Sequence, residues 1–165
     1  MLKFLNKKKD NKGFSLVELI IVVAIMAILV GLLAPQYIKY VEKSRKSTDA
    51  SNLSELVNAL QVYAADSEAN LPADTYTITI STSKTEIKAG VSGNQTVAEN
   101  AIEATAPDYA TIRLKSNKWK ENDNDTSGAT SITAAVTVDN NGGTTVEYTP
   151  KELNSFIKGA TTAQQ

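Results

Sequence analysis

The side chains of this protein that could carry chemistry are carboxylates, lysines and hydroxyls, because the 165-residue chain contains neither cysteine nor histidine. Without a thiol or an imidazole there is no cysteine nucleophile, no Ser-His pair and no Cys/His metal site. Gly90-Val91-Ser92-Gly93 is not a nucleophile elbow, since the glycine required at its fifth position is absent. We therefore expect a protein that is not an enzyme and that needs no cofactor.

Glu18 is the most unusual acid, because it stands at the start of an apolar run that continues without a charge from Leu19 to Ala34. A carboxylate is costly to place in lipid, so Glu18 is a functional candidate that requires a partner. With Phe14 to Glu18 in front, the run reaches about 20 residues, the length of a bilayer-spanning helix. A secretory signal peptide is the alternative, but its apolar region is shorter, and no small-residue cleavage pair precedes a polar start here.

Basic residues flank the apolar run on both sides. The group before it comprises Lys3, Lys7, Lys8, Lys9 and Lys12, and the group after it comprises Lys39, Lys43, Arg45 and Lys46. This distribution gives only a slight bias toward a cytoplasmic N-terminus. Residues 35–165 are mildly acidic, which does not favour nucleic acid as a partner, because a nucleic-acid-binding protein neutralises phosphates with a basic face.

The segment directly ahead of the apolar run reads Lys12-Gly13-Phe14-Ser15-Leu16-Val17-Glu18. It resembles the processing site of type IV prepilins, in which a basic residue and glycine precede an aromatic, a small polar and two apolar residues, then glutamate. The resemblance implies a basic leader, residues 1–13, that a membrane aspartyl prepilin peptidase removes on the cytoplasmic side. The same enzyme would N-methylate the new terminus, Phe14.

The function implied by this resemblance is that of a type IV pilin precursor, with a major pilin as the first interpretation. The precursor would be a single-pass membrane protein with a cytoplasmic N-terminus, and the mature subunit would form an extracellular pilus, or fimbrium. Its implied partners are further copies of the chain, the peptidase, and an assembly platform with its ATPase. Adhesion, aggregation and twitching motility are roles of the family.

Two alternatives remain open at the level of sequence. A pseudopilin of a type II secretion or competence system shares the same N-terminal segment but builds a short filament. A membrane-anchored DNA- or glycan-binding module is an alternative of another class. Its candidate surface combines charge with one aromatic ring and comprises Arg113, Lys115, Lys118, Trp119 and Lys120.

Gly13, Phe14 and Glu18 suit the roles that the resemblance gives them. Gly13 has no side chain to obstruct entry into a protease cleft. Cleavage after Gly13 gives Phe14 an ammonium group, and Glu18 can pair with that amine in an adjacent subunit. Such a pair offsets both desolvation costs only when the register between the helices is correct. We therefore predict processing at Gly13 and Phe14, and filament assembly through Phe14 and Glu18.

One long helix must position these residues. Apolar side chains continue at helical spacing beyond the run, so we expect a helix from about Phe14 to about Ser67, ending ahead of Pro72. Its second half is amphipathic and is predicted to bury Leu53, Leu56, Val57 and Leu60 under a sheet.

The predicted weak point of this helix is the segment from Gly31 to Pro35. The ring nitrogen of Pro35 has no hydrogen to donate to the carbonyl of Gly31. Proline costs about 3 kcal/mol in a helix interior and glycine about 1 kcal/mol, and here the two coincide. Type IV pilins are similar in having a proline at this distance from the mature start, and the segment before it can melt in the filament.

The rest of the chain predicts a small antiparallel sheet. Alternating apolar residues indicate strands at about 76–80, 85–89, 109–116, 131–139 and 144–149. Asn140-Asn141-Gly142-Gly143 indicates the turn of a hairpin. Short helices are predicted at 97–104 and from Pro150 to about Lys158. The predicted fold is α+β and pilin-like, with a leader (1–13), a transmembrane or filament-core helix (14–34), its amphipathic continuation (35–68) and a head domain (69–165).

A weak candidate for a cation site is the loop that contains Asp123, Asp125 and Ser127. It resembles the front of a calcium loop, with oxygens at alternate positions and a turning glycine, but residue 134 is Ala where the terminal acid is required. We therefore predict no metal. Many pilins close their C-terminal region with a disulfide, which this chain cannot form, so how that region is held is an open question.

Overall fold

The computed structural model describes residues 14–66, 71–122 and 124–157. The chain divides into two compact units, Met1–Tyr40 and Val41–Gln165, called here the first and second unit. Helix α1 extends from Leu16 to Ala65 and contributes to both. The predicted leader, residues 1–13, lies outside the described residues.

In the first unit, α1 exposes its apolar side chains. From Leu16 to Leu33 the large apolar residues are 46 to 73% exposed. By length and composition, this helix is long and apolar enough to cross a membrane. It is helical through both Gly31 and Pro35, so the predicted weak point is not a break in the structure of the single chain.

In the second unit, α1 is amphipathic and supplies one wall of the core. Leu53, Leu56, Val57 and Leu60 are at most 1% exposed, which confirms the predicted stripe. The observed bounds differ from the predicted ones by about two residues at each end. Apolar side chains on either side of the polar stretch Glu42 to Asn52 were sufficient to predict this element as one helix.

The other wall of the core is a four-stranded antiparallel sheet with the order β2-β1-β3-β4. The strands are β1 (Asp74–Ser81), β2 (Thr85–Ala89), β3 (Ser131–Val138) and β4 (Thr144–Thr149). Alternate residues of β1 and β3 face the core, so that Tyr76 pairs with Val136 and Ile80 with Ile132. The long helix and this sheet confirm the predicted α+β, pilin-like fold.

The hairpin between β3 and β4 also agrees with the prediction. Gly142 has a φ of +79°, the left-handed conformation that glycine tolerates best. One carboxylate oxygen of Asp139 accepts hydrogen bonds from the backbone of Asn141 and Gly143, each 2.8 Å long. A Cβ atom at Gly142 would lie 2.6 Å from the carbonyl oxygen of Ala64, so glycine also permits the hairpin to contact the end of α1.

The two short predicted helices differ in how closely they agree with the structure. The helix predicted at 97–104 is present as α2, Gln95–Glu103, which follows a 3-10 turn, Ser92–Asn94. The helix predicted from Pro150 to about Lys158 is present only as a short 3-10 helix, Lys151–Ser155, and residues from 158 onward lie outside the described part.

The strand predicted at 109–116 is wrong. Residues Tyr109–Thr111 form a 3-10 turn, and Leu114 then makes one backbone hydrogen bond, to the carbonyl of Ser81. The next two amides, of Lys115 and Ser116, donate to the carboxylate of Asp49 on α1 instead of to a strand. The alternating side chains indicated extended backbone, but this backbone donates its hydrogen bonds to the Asp49 side chain of α1 instead of to a neighbouring strand.

Candidate functional site

The N-terminus of α1 is capped by its own first residues. The backbone N–H of Ser15 donates to Glu18 Oε2 over 2.9 Å, and the backbone N–H of Val17 donates to Ser15 Oγ over 3.3 Å. With the helix beginning at Leu16, Ser15 is the N-cap and Glu18 the third helical residue, an arrangement close to a capping box. The Ser-x-x-Glu spacing was visible in the sequence, but the prepilin reading of the same residues did not assign Glu18 this role.

This cap gives Glu18 a partner within the single subunit. Its carboxylate lies at the positive end of the helix dipole and accepts an amide hydrogen that the helix itself leaves unpaired. Phe14, the neighbour of Ser15, is 83% exposed. Gly13, on the other side of the predicted cleavage point, lies outside the described residues, so the geometry of that bond is not described.

Comparison with known families identifies the same segment. Residues 8–34 match the model described as the prokaryotic N-terminal methylation motif. The chain carries a type IV prepilin-like class III signal peptide. This motif supports a precursor of the type IV pilin or pseudopilin type, and such motif-bearing proteins are structural and not enzymatic. No curated protein and no solved structure matched the chain.

The second unit contains a buried polar cluster that the sequence did not reveal, formed by Glu42, Lys46, Asp49, Ser116 and Glu152. At its centre Asp49 is fully buried. Its carboxylate accepts hydrogen bonds from the backbone of Lys115 at 2.8 Å and of Ser116 at 2.9 Å, and from Trp119 Nε1 at 3.3 Å. One side chain of α1 thus holds the end of the segment that was predicted to be a strand, together with Trp119.

An ion pair completes the polar cluster and reaches the C-terminal 3-10 turn. Lys46 Nζ contacts both carboxylate oxygens of Glu152, at 2.6 and 2.8 Å, and lies 5.2 Å from the centre of the Trp119 ring. Glu152 also accepts the backbone N–H of Lys120 at 2.9 Å. Ser116 Oγ donates to Glu42 of α1. The segment from Ser116 to Lys120 is therefore held at one end by Glu42 and at the other by Glu152, which pairs with Lys46 of α1.

The polar cluster answers how this cysteine-free chain holds its C-terminal region. Phe156 packs edge-on against the Trp119 ring, with the ring centres 5.3 Å apart. Polar bonds and this aromatic contact therefore connect α1, the segment around Trp119 and the last described residues. Sequence reasoning could not find the arrangement because Lys46, Asp49 and Glu152 lie in stretches that read as solvated polar surface.

The predicted binding surface around Trp119 needs correction. The Trp119 side chain is fully buried, so its ring is not available to stack on a base or a sugar. The four basic residues of that surface, Arg113, Lys115, Lys118 and Lys120, are exposed. Arg113 turns back onto its own segment, where it donates to the carbonyls of Ala110 and Ile112. The structure therefore retains the charges of this surface but not its aromatic platform.

The predicted weak cation site is only partly described, since Asp123 lies outside the described residues. One carboxylate oxygen of Asp125 accepts hydrogen bonds from the hydroxyl of Ser127 at 2.7 Å and from its backbone at 3.0 Å. These bonds from Ser127, with one from the backbone of Glu121, hold the pKa of Asp125 below its usual value. Within residues 14–66, 71–122 and 124–157, no group of three His, Cys, Asp or Glu side chains could hold a metal ion.

Proposed function

We propose that this chain is the precursor of a structural subunit of a type IV pilus. A prepilin peptidase cleaves it after Gly13 and methylates Phe14, and the mature chain then polymerises through its N-terminal helix. The observation that carries the proposal is the combination of the N-terminal methylation motif at residues 8–34 with an apolar helix that its own subunit leaves uncovered.

The exposure of this helix supports both a membrane stage and a filament stage. An apolar surface of this extent requires either lipid or protein around it. Exchanging lipid for neighbouring helices keeps the surface dry, so one helix can serve as anchor and as polymer core. If each contact joins different surfaces of two copies and the rotation does not close, the product is an open fibre.

The pairing of Glu18 with the Phe14 amine of a neighbouring copy would set the register of that fibre. The precursor is anchored in the membrane with its N-terminus in the cytoplasm, and the fibre is extracellular. The subunit catalyses nothing, since cleavage, methylation and the work of extrusion belong to the peptidase, the assembly platform and its ATPase. Such a fibre could serve adhesion, aggregation or twitching motility.

Electron microscopy of fibres sheared from cells, together with mass spectrometry of their N-terminal peptide, tests the proposal. We expect fibres whose subunits begin at an N-methylated Phe14. Gly13→Leu should abolish both cleavage and fibres, whereas Gly93→Ala is a matched control, because a Cβ atom there meets nothing within 4 Å. Fibres built from subunits that begin at Met1 would contradict the proposal, and a short filament confined to the cell envelope would identify a pseudopilin.

A further inference from the structure

Exposed charge is separated within the second unit. At one end lies a group of exposed basic side chains, called here the basic end, which comprises Lys43, Arg45, Lys115, Lys118 and Lys120. At the other lies a group of carboxylates, called here the acidic end, which comprises the exposed Asp66 and Asp139 and the half-buried Asp74. The sequence contains no lysine or arginine from 47 to 83 or from 121 to 150, so the acidic end has no basic residue among its neighbours along the chain.

The basic end is held together by the polar cluster. The backbone of Lys115 is bonded to Asp49 of α1, and the backbone of Lys120 is bonded to Glu152, which pairs with Lys46. Two acids of this region, Asp49 and Glu152, thus point their carboxylates into bonds with the backbone or with a largely buried lysine. Arg45 pairs with Glu42 at 3.9 Å, and Lys120 lies close enough to Asp125 to help lower its pKa. Among the described residues, Lys43, Lys115 and Lys118 are the basic side chains of this end that form no ion pair.

The acidic end lies where α1 finishes and the β3–β4 hairpin turns. Asp66 and Asp139 line the same cavity, of about 410 Å³, which also contains the end of α1 and the turn residues. Asp74 begins β1 and pairs there with Val138, next to Asp139. It accepts hydrogen bonds from the backbone of Val91 at 2.8 Å and from Asn94 at 3.0 Å, which fix the position of its charge.

The two ends are separated by the full length of the central strands. Ser131, the first residue of β3, pairs with Ser81, whose carbonyl accepts the backbone N–H of Leu114 at the basic end. Val138, the last residue of β3, pairs with Asp74 at the acidic end. The eight residues of this strand span roughly 23 Å at the rise of an antiparallel strand. Opposite charges therefore occupy opposite ends of the second unit.

We propose that the basic end of one copy docks on the acidic end of another copy, and that this contact orders the second units along the fibre. The inference rests on the proposed function, because it concerns contacts between assembled subunits. Complementary charge at two different surfaces of one chain suits a head-to-tail contact, which repeats without closing. Charges at such contacts chiefly determine register and exclude wrong partners. The same chain supplies both surfaces, which favours a second copy over lipid or nucleic acid.

Disulfide trapping in the full-length chain tests the contact directly, because the native sequence has no cysteine. The variant combines Lys118→Cys at the basic end with Asn140→Cys, an exposed turn residue beside Asp139 that leaves the three acids intact. We expect a ladder of cross-linked oligomers from oxidised fibres. The matched control, Lys88→Cys with Asn140→Cys, uses an exposed lysine of β2 outside the basic end and should give no ladder.

Charge reversal provides a second measurement on the same fibres. Lys118→Glu alone, or Asn140→Lys alone, places like charges opposite each other and should lower the yield of sheared fibres. The two changes in one chain place opposite charges at positions 118 and 140 of the contact and should restore that yield.

The outcomes separate this inference from the proposed function. Normal fibres without a ladder, or with unchanged yield in both single variants, overturn the contact but leave the pilus subunit intact. Absence of any fibre from the wild-type chain overturns both. If Lys118→Glu instead abolishes binding of the full-length chain to anionic phospholipid vesicles, or to DNA, while the ladder is missing, the basic end recognises that polyanion and the contact is overturned.

Discussion

Glu18 has two properties that substitution can separate: an oxygen that accepts the Ser15 amide hydrogen, and a negative charge. Glutamine serves as well as glutamate in a capping box, so Glu18→Gln keeps the cap and removes only the charge. We expect both Glu18→Gln and Glu18→Ala to lose fibre assembly, the first with its helix cap retained, because the Phe14 amine of the neighbour needs a counter-ion. Fibre yield by electron microscopy measures this, and full assembly of Glu18→Gln would reduce the role of Glu18 to capping.

Asp49 is the acceptor on which the segment around Trp119 depends. Asp49→Ala leaves the backbone N–H groups of Lys115 and Ser116, the second of them buried, and the buried Trp119 ring nitrogen without their acceptor. Each unsatisfied buried donor costs about 1 to 3 kcal/mol, so we expect a loss of about 3 kcal/mol or more in the free energy of unfolding. Urea unfolding in detergent measures it. Glu55→Ala, an exposed acid on the same helix, should change stability by less than about 0.5 kcal/mol.

Ionisation of Tyr76 is expected to lower the free energy of unfolding at alkaline pH. Burial, with a further contribution from the charge of Asp74, raises the pKa of Tyr76 from 10.0 to about 12, while its hydroxyl donates to the carbonyl of Pro72 at 2.8 Å. A pKa raised by folding means that this contribution is complete below pH 10.0 and is lost as the pH rises toward about 12. Tyr76→Phe should therefore flatten the decline in urea midpoint over that interval, whereas Tyr40→Phe, at an exposed tyrosine, should not.

Among the elements, the helix shows where sequence patterns suffice and the 109–116 segment where they do not. Helical spacing and strand alternation are local signals, and they gave α1, α2 and the four strands to within a few residues. The partner of an extended segment is a long-range property: Lys115 and Ser116 find Asp49, 66 and 67 residues away in the sequence. The same limit hid the burial of Trp119, whose basic neighbours read as a solvated surface.

The residues of the candidate site also differ in whether the sequence alone could predict them. The motif around Gly13, Phe14 and Glu18 is contiguous, so residue type and spacing were enough to find it. The polar cluster joins residues from three distant stretches, and only the fold brings Lys46 to Glu152. Pairing between Phe14 and Glu18 of different copies stays a prediction, because it belongs to the assembled fibre.

The weak point of α1 is testable at the level of the element. Pro35 leaves the carbonyl of Gly31 without its helical donor, although α1 is continuous in the single chain. Pro35→Ala should restore about 3 kcal/mol of local helix stability. Amide exchange near residues 31–35 should then slow roughly a hundredfold in detergent. Gly31→Ala, where a Cβ meets nothing within 4 Å, restores about 1 kcal/mol and should slow it several-fold. Equal exchange in all three chains would mean that this segment is not weak.

For the whole molecule, the division into two units predicts two separable unfolding events. Trp119 is the only tryptophan and is fully buried in the second unit, so its fluorescence reports on that unit alone. In detergent we expect urea to shift this emission to the red while circular dichroism retains the helix of the first unit, which micelles continue to cover. Simultaneous loss of both signals would show that the two units unfold together.

The hydrogen bond from Ser15 to Glu18 has a consequence for how a fibre could shorten as well as grow. In a lone subunit, the carboxylate of Glu18 already accepts the backbone N–H of Ser15. Joining a neighbour therefore exchanges this donor for the Phe14 amine of that neighbour. A subunit that leaves the polymer can reverse the exchange and return to lipid with its carboxylate still satisfied. Under the proposed function, the membrane can then act as a reservoir that the same molecule enters and leaves repeatedly.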